Sequence, residues 1–293
     1  MKPQKHSLDL AVVGNGQISA LIDPQGAVVW SCMPRPDSDP VFARLLATPA
    51  KPAHAAAFAI ELRDLKRSRQ TYERNTAIVV TELTDAAGGC VRITDFCPRF
   101  RLYGRIFHPV MLVRIIEPVA GRPLVRVHCK PHADWGATEV RPLRGSNHLR
   151  YHAKDIDLRL TTSIPLTALT DDREFIVNEP MALVLATDEP ITESVLAMAL
   201  RLRESTRIYW HDWVRTLAIP FEWQEEVIRS AITLKLCTYE DSGAVLAALT
   251  TSIPESPNSG RNWDYRYCWL RDSYFVVQTL NKLGTTATME SFL

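Results

Sequence analysis

Short apolar runs separated by tight turns recur along the first two-thirds of this chain, and they restrict it to an antiparallel β architecture. The tetrapeptide Asp23-Pro24-Gln25-Gly26 separates apolar residues 18–22 from residues 27–30. Proline presets φ for such a turn and glycine accepts a positive φ, so this stretch predicts a hairpin. Comparable runs predict further strands at residues 11–13, 77–83, 90–96, 110–118, 124–129, 158–160, 164–169, 174–177 and 182–186. Many short strands joined by turns are typical of an antiparallel β-sandwich.

The pattern changes to a helical one near Pro190. Residues 193–217 contain few turn residues and are rich in Leu, Ala, Arg and Glu, which predicts a helix within them. Its apolar face carries Trp210, Trp213, Val214 and Leu217. Further helices are predicted at residues 221–239 and 270–283, the latter ending at Gly284.

Charge and hydropathy exclude two classes of partner. The chain of 293 residues holds 34 Lys and Arg against 33 Asp and Glu, a net charge of +1, which gives no field for attracting nucleic acid. It has no run of about 18 apolar residues, so we expect no membrane partner. The N-terminus lacks the apolar core of a secretory signal and the six cysteines form no CxxC pair, so we expect reduced thiols, many of them core fillers, in a cytoplasmic protein.

The densest candidate for chemistry is the segment 261–272, which reads RNWDYRYCWLRD. Its twelve residues include four aromatic residues, three arginines and two aspartates. Aromatic faces cover the apolar C–H patches of a pyranose, while an arginine fork and a carboxylate suit adjacent hydroxyls. The segment therefore predicts a sugar site around Arg271 and Asp272. A second interpretation stays open here, in which the two form a buried pair that fixes a helix start.

Several motifs carry a family resemblance that extends over essentially the whole chain. Residues 238–244 (TYEDSGA), 250–255 (TTSIPE) and 261–272 strongly resemble glycoside hydrolase family 15, the glucoamylase and trehalase-like enzymes. Residues 14–16, 23–26, Trp30, 34–44 and 220–224 resemble the trehalase-like N-terminal domain that accompanies that catalytic unit.

The resemblance implies a specific fold and division of the chain. It implies an antiparallel β-sandwich (a supersandwich) at residues 1–190, a linker helix at 191–218, and the first helices of an incomplete (α/α)6 barrel at 219–293. On this expectation the chain stops early in the catalytic barrel, and the missing C-terminal barrel portion is a partner it needs.

The resemblance also implies an activity and a set of site residues. Family members hydrolyse α-glucosidic bonds with inversion, using one carboxylic acid and one carboxylate. Both carboxylates lie further downstream in the family, so we assign no catalytic residue within this chain. The expected substrate is an α-glucoside such as trehalose or a maltooligosaccharide. Residues carried over as substrate-binding are Arg271 and Asp272 on glucose hydroxyls, Tyr265 and Trp269 lining the same subsite, and Trp263 and Tyr267 as weaker wall candidates.

Other acidic residues do not replace the catalytic pair. Glu222, Glu225 and Glu226 share one helix start, where acids complement the helix dipole, and they do not face each other across a sugar. The acids that flank the loop before the motif, Glu240, Asp241 and Glu255, are expected on the surface.

The remaining signals are weak. Residues 14–16 (GNG) lack the third glycine of a dinucleotide loop and precede a tight turn, which favours a hairpin. His128 and His132 have no third ligand in view, and Lys66-Arg67-Ser68-Arg69 is typical of a solvated turn. We therefore predict no cofactor and no metal.

Two hypotheses follow from this interpretation. The first is the N-terminal portion of an inverting α-glucosidase that is inactive alone. The second is a non-catalytic carbohydrate-binding or scaffolding module. The apolar faces predicted at residues 221–239 and 270–283 favour the first, since they need further helices to cover them.

Overall fold

The computed structural model describes residues 8–47, 56–250, 261–265, 267–285 and 290. These residues contain nineteen β-strands and four α-helices. The strands are β1 (Ala11–Gly14), β2 (Ser19–Ile22), β3 (Val28–Cys32), β4 (Pro40–Ala43), β5 (Phe58–Leu62), β6 (Leu65–Tyr72), β7 (Val79–Asp85), β8 (Cys90–Phe96), β9 (Phe100–Leu102), β10 (Arg105–Phe107), β11 (Met111–Ala120), β12 (Leu124–Cys129), β13 (His132–Ala133), β14 (Thr138–Glu139), β15 (Leu143–Arg144), β16 (His148–His152), β17 (Asp157–Thr162), β18 (Phe175–Ile176) and β19 (Met181–Thr187). The helices are α1 (Leu166–Thr170), α2 (Val195–Arg215), α3 (Gln224–Leu236) and α4 (Leu270–Lys282), and short 3-10 turns lie at Arg44–Leu46 and Asp134–Gly136.

Two large antiparallel sheets enclose the main apolar core. The seven-stranded sheet runs β1-β2-β3-β5-β12-β18 with β4 beside β3, and the eight-stranded sheet runs β15-β16-β17-β19-β11-β8-β7-β6. Buried side chains from both sheets meet between them, including Val13, Ile22, Phe58, Val79, Ile93, Leu112 and Leu185. The β-rich antiparallel architecture predicted for the N-terminal part is confirmed.

The predicted turn after β2 has the expected geometry. Gly26 has φ +80°, and its N–H donates to the Asp23 carbonyl at 2.9 Å. The Asp23 carboxylate accepts from the backbone N–H of Gln25 and of Ala27, each at 2.9 Å. The side chain therefore closes the turn that the sequence pattern predicts.

Two local predictions are wrong. Residues 164–169 are not a strand, because Pro165 stands at the start of the short helix α1, a position that needs no N–H donor. The basic run 66–69 is not a turn; it lies within β6, at the edge of the eight-stranded sheet. Exposed Lys and Arg side chains on an edge strand discourage pairing with another chain.

Helix α2 covers the outer faces of both sheets. Its first half packs Val195, Met198 and Leu202 on the eight-stranded sheet, against Val113 and Val184. Its second half joins a separate cluster with strands β1–β3 and helices α3 and α4, whose members include Val12, Leu21, Val29, Trp30, Tyr209, Trp210, Val214, Ile232, Leu236 and Leu280. The predicted helix at 193–217 and its buried face are confirmed.

Backbone conformation sets the start of α3 and the end of α4. Helix α3 is shorter than the predicted 221–239, because Trp223 before it is left-handed at φ +57°. Helix α4 ends at Gly284, with φ +84°, as predicted. The Thr285 N–H donates to the Leu280 carbonyl at 3.0 Å and the Gly284 N–H to the Asn281 carbonyl at 2.9 Å, which is the Schellman arrangement. Within the described ranges, no helix is long and apolar enough to cross a bilayer.

A buried ion pair joins the two sheets from inside. Arg114 on β11 and Asp95 on β8 are fully buried, with Nε to Oδ1 at 2.8 Å and Nη2 to Oδ2 at 3.1 Å. The same guanidinium donates to the carbonyl of Phe58, which lies on β5 of the opposite sheet, and to the carbonyl of Gly26, in the turn that joins β2 and β3 of that sheet. Arg114 therefore fixes how the sheets lie against each other.

A second polar junction joins the sandwich to the end of α3. Arg99 is 1% exposed, and its Nη2 donates to Glu240 Oε1 at 2.9 Å. Its guanidinium also lies over the Tyr209 ring of α2 at 4.6 Å. Lys235 Nζ lies 3.8 Å from Glu240 Oε2. Burial, together with the charge of Arg99, lowers the pKa of Lys235 from 10.5 to about 8 despite Glu240.

Replacing Arg114 by Met tests the buried pair. We expect Arg114→Met to lower the free energy of unfolding by about 3–5 kcal/mol, since Asp95 is left buried without its partner. The matched control is Arg92→Met, which breaks the half-exposed pair with Glu82 on the same sheet and costs under about 1 kcal/mol. Urea unfolding measures both, and equal losses in the two variants contradict this assignment.

Replacing Lys235 by Met tests the polar junction through its pH dependence. The folded protein releases the Lys235 proton near pH 8 and the unfolded chain near pH 10.5, so unfolding takes up a proton between these values. The contribution of Lys235 to stability therefore rises with pH across this window, by roughly 3 kcal/mol at most. Urea unfolding from pH 7 to 10 measures it as the wild type minus Lys235→Met, and Lys66→Met on β6 serves as a control. A flat difference contradicts the assignment.

Candidate functional site

The segment predicted to hold sugar leads directly into α4. Cys268 pairs with Leu246 in an isolated antiparallel bridge, and Trp269 is the residue before the first helical turn. The Trp269 carbonyl accepts from the Ser273 N–H and from the Ser273 hydroxyl, both at 2.9 Å. This local start of the helix places Arg271 and Asp272 together on its first turn.

Three of the predicted aromatic residues meet at Trp269. Trp263 lies edge-on to it, with ring centroids 6.1 Å apart, and Tyr265 lies tilted at 5.9 Å. The Trp269 indole N–H donates to the Asp264 carbonyl at 3.1 Å, which fixes the orientation of the ring. Tyr267 does not join this cluster and is 69% exposed.

An open cavity lies beside the indole of Trp269. Its volume is about 490 Å³, and its lining consists of Asp264, Tyr267, Cys268, Trp269, Leu270 and Arg271. The Arg271 guanidinium lies 5.9 Å from the Trp269 ring centroid. Ring, phenol and guanidinium groups therefore border one concave surface, the combination that pyranose faces and hydroxyls require.

Arg271 and Asp272 do not form the buried pair that the sequence left open. The Arg271 side chain is 71% exposed, and its Nη2 lies 3.6 Å from Asp272 Oδ2, beyond hydrogen-bond distance. Asp272 Oδ2 is buried and has no hydrogen-bond partner among the described residues. The Arg271 guanidinium thus keeps a donor fork for other groups, and the N-terminus of α4 stabilises the negative charge of Asp272.

The other predicted acids are accounted for by the fold. Glu222, Glu225 and Glu226 are all exposed. Glu225 and Glu226 lie in the first turn of α3, where acids complement the dipole, whereas Glu222 precedes the helix. The expectation that Glu240 lies on the surface is wrong, because its half-buried carboxylate accepts from Arg99. Asp241 is exposed as expected and accepts the Tyr239 hydroxyl at 3.0 Å. Glu255 lies outside the described residues.

The histidines do not gather into a ligand set. His128 contacts Asp172 Oδ1 at 2.9 Å and Glu61 Oε2 at 3.3 Å on the sandwich surface, while His132 contacts the Lys130 carbonyl at 3.1 Å. Within the described ranges, no three His, Cys, Asp or Glu side chains are placed to hold a metal ion.

Sequence reasoning missed the residues that connect this site to the sandwich. Asn15 is predicted as part of a hairpin, which is β1–β2, and as part of the GNG motif that carries the family resemblance. Its fully buried side chain also donates to the carbonyls of Pro98 at 2.9 Å and Pro109 at 2.8 Å. The available signal was an amide between two glycines at the end of an apolar strand.

Comparison with known proteins gives two adjoining family matches. A model described as Trehalase-like, N-terminal matches residues 5–199, and one described as Glycosyl hydrolases family 15 matches residues 223–293. The first match covers strands β1 to β19 and the start of α2, and the second covers α3 and α4.

Relatives named trehalase match nearly the whole chain. Those of Thermoplasma volcanium and Mycobacterium tuberculosis are 27% and 28% identical to it, over 96% and 97% of this chain and 45% of each relative. That of Thermoplasma acidophilum is 30% identical, over 93% of this chain and 47% of the relative. The chain thus spans less than half the length of these curated relatives. Because the first family model covers more than half of the chain, the chain belongs to the trehalase-like N-terminal family, and its residues 223–293 match the model of glycosyl hydrolases family 15.

Proposed function

We propose that this chain is the N-terminal portion of an inverting α-glucosidase that acts on trehalose, a maltooligosaccharide or a similar α-glucoside. The observation that carries the proposal is the Arg271–Asp272 pair at the head of α4, beside the Trp269 cavity. The trehalase names of the relatives support the substrate class. The proposal includes a cytoplasmic location, which suits six cysteines kept as thiols.

The side chains divide into two roles in this proposal. Arg271 and Asp272 bind glucose hydroxyls, because a guanidinium fork donates and a carboxylate accepts. Tyr265 and Trp269 line the subsite against the apolar face of the ring, and Trp263 and Tyr267 form its outer wall. The Asp272 side chain is 36% exposed while its Oδ2 is buried, so a sugar hydroxyl would bind the carboxylate at Oδ1.

The chemistry of bond cleavage requires groups that we place outside residues 1–293. Inversion needs an acid and a base about 6.5–9.5 Å apart on opposite sides of the sugar. The acids at the start of α3 are exposed together on one turn, and Glu240 is bound by Arg99. We therefore assign sugar binding, and no catalytic residue, to this chain.

The domain division belongs to the same proposal. We assign residues 1–190 to the sandwich, 191–218 to the linker helix and 219–293 to the opening of an (α/α)6 barrel. The surface of α4 supports a further packing partner, since Leu270 is 79% exposed, Tyr274 59% and Phe275 62%. Helices of the remaining barrel are the partner we propose for this face, because apolar patches of this kind mark interaction surfaces.

Calorimetry with glucose tests the binding role. Asp272→Asn removes the charge of a hydroxyl acceptor, which is worth about 1.5–3 kcal/mol and predicts an affinity roughly 10- to 100-fold weaker. Glu226→Gln, which removes an exposed carboxylate on α3, is the matched control and keeps wild-type affinity. Equal affinity of wild type and Asp272→Asn contradicts the assigned role.

Hydrolysis assays test the placement of the catalytic carboxylates. The 293-residue chain is expected to release no glucose from trehalose or maltose, because we place the proton donor and the water activator outside it. Measurable turnover that disappears on Asp272→Asn would place those groups within this chain. Glucose binding without turnover, together with failure to associate with a polypeptide matching the rest of a relative, would favour the carbohydrate-binding module instead.

A further inference from the structure

The polar junction between the sandwich and α3 continues toward the proposed sugar site. Arg99 follows β8 and is buried where the sandwich meets the helices. Its Nη1 donates to the Asn15 carbonyl at 2.5 Å, and its Nη2 donates to Glu240 Oε1. One guanidinium thus connects the β1–β2 hairpin with the loop that follows α3.

The sandwich side of this junction is rigid. The Asn15 side chain makes four hydrogen bonds, since its Oδ1 also accepts from the N–H of Gln17 at 3.0 Å and of Ile18 at 3.1 Å. Four bonds satisfy a side-chain amide completely. A fixed amide in turn fixes the backbone carbonyls of residues 15 and 16.

Glu240 is held by its backbone as well as by its carboxylate. Its N–H donates to the Gly16 carbonyl at 2.9 Å. Gly16 has φ +87°, and a Cβ there would lie 3.0 Å from Arg99 Nη1 and 3.2 Å from Glu240 Oε2. Glycine at this position accepts the positive φ and leaves room for the close approach of Arg99 and Glu240.

The loop that contains Glu240 is a short β-like turn, and its last residue pairs with the segment proposed to bind sugar. The Tyr239 N–H donates to the Ala244 carbonyl and the Leu246 N–H to the Cys237 carbonyl, both at 2.8 Å. Leu246 then pairs with Cys268. Cys268 precedes Trp269, so a continuous set of backbone contacts joins Glu240 to the cavity wall.

The sandwich contacts the same loop at a second point. Gln17 Nε2 donates to the Tyr239 hydroxyl at 3.3 Å, and the Arg35 guanidinium lies over the Tyr239 ring at 5.3 Å. The Tyr239 hydroxyl in turn donates to Asp241. Residues on both sides of Glu240 in the sequence are thus oriented by side chains of the β1–β2 and β3–β4 connections.

We propose that Glu240 is a positioning residue, through which Arg99 and Asn15 of the sandwich hold the 237–246 loop and thereby the sugar-binding head of α4. The proposal rests on the proposed function in one respect, that residues 263–272 bind sugar. It gives the sandwich a role in that site beyond covering the helices: it sets the position of the Cys268–Trp269 backbone. Glu240 itself touches no sugar in this arrangement.

Glu240→Gln in the full chain tests this role, with Glu82→Gln as the matched control. Glutamine at position 240 keeps an acceptor for Arg99 but loses the negative charge. In the control, Glu82 on β7 pairs with Arg92 on β8 within the eight-stranded sheet. We expect Glu240→Gln to accelerate hydrogen exchange of backbone amides in residues 267–273 at least 10-fold, with exchange in β7, β8 and β11 unchanged. We also expect calorimetry to show glucose binding at least 5-fold weaker, and the control to change neither quantity.

The outcomes separate this proposal from the proposed function. Unchanged exchange at residues 267–273, or an equal rise throughout the sandwich, overturns the positioning role whether or not sugar binds. Absence of glucose binding by the wild type overturns the proposed function, and exchange still decides the role of Glu240. If Glu240→Gln does not fold, Gln17→Ala removes the smaller contact with Tyr239 and is expected to accelerate the same amides 2- to 3-fold. Wild-type exchange in Gln17→Ala then counts against the proposal.

Discussion

Burial of the first three strands on both faces is the constraint on which the rest of this structure depends. Val13 and Ile22 point into the space between the sheets, while Val12 and Val29 point outward into a second apolar cluster. A sheet with two apolar faces must be covered twice. The eight-stranded sheet covers one face, and the second half of α2 with α3 covers the other. This arrangement brings the end of α3 to the β1–β2 hairpin. The segment proposed to bind sugar is thereby connected to the sandwich through the loop that follows α3.

The charged groups at the two buried junctions define how the packed elements lie against each other more than they raise the free energy of unfolding. Arg114 joins the sheets, and Arg99 joins the sandwich to the helices, in each case with a carboxylate and backbone carbonyls as acceptors. Desolvation of such charges offsets most of their attraction, but an alternative packing would leave them unpaired at a high cost. Two apolar surfaces can pack in several relative positions, whereas the hydrogen bonds from Arg114 and Arg99 form only when their acceptors are correctly placed. The helical region therefore has one defined position on the sandwich.

Sequence patterns over a few residues correctly predicted those elements whose conformation is set by neighbouring residues. The Asp23–Gly26 turn, the strand at residues 90–96 and the stop at Gly284 follow from proline, glycine and alternation within a few residues. Strand β6 was missed because its run of Lys and Arg is also typical of a solvated turn. Its pairing with β7 is what makes this segment a strand. The composition of residues 261–272 identified the candidate site. Its support was not predictable, since Arg99 and Glu240 are 141 residues apart and no short-range pattern relates them.

Selectivity among α-glucosides depends on what faces the cavity, because a single wall binds glucose units of different substrates alike. In the proposed site, Asp264 and residues 267–271 supply that one wall, and Trp269 and Arg271 would contact the same sugar whichever glucoside carried it. Groups that distinguish trehalose from maltose must then approach from the exposed side of α4, where Leu270, Tyr274 and Phe275 lie. In the proposed arrangement two supports meet at one site: the sandwich orients the wall through the 237–246 loop, and the partner that covers α4 completes the pocket. If the site binds sugar as proposed, discrimination among α-glucosides depends on the second support and affinity for glucose on the first.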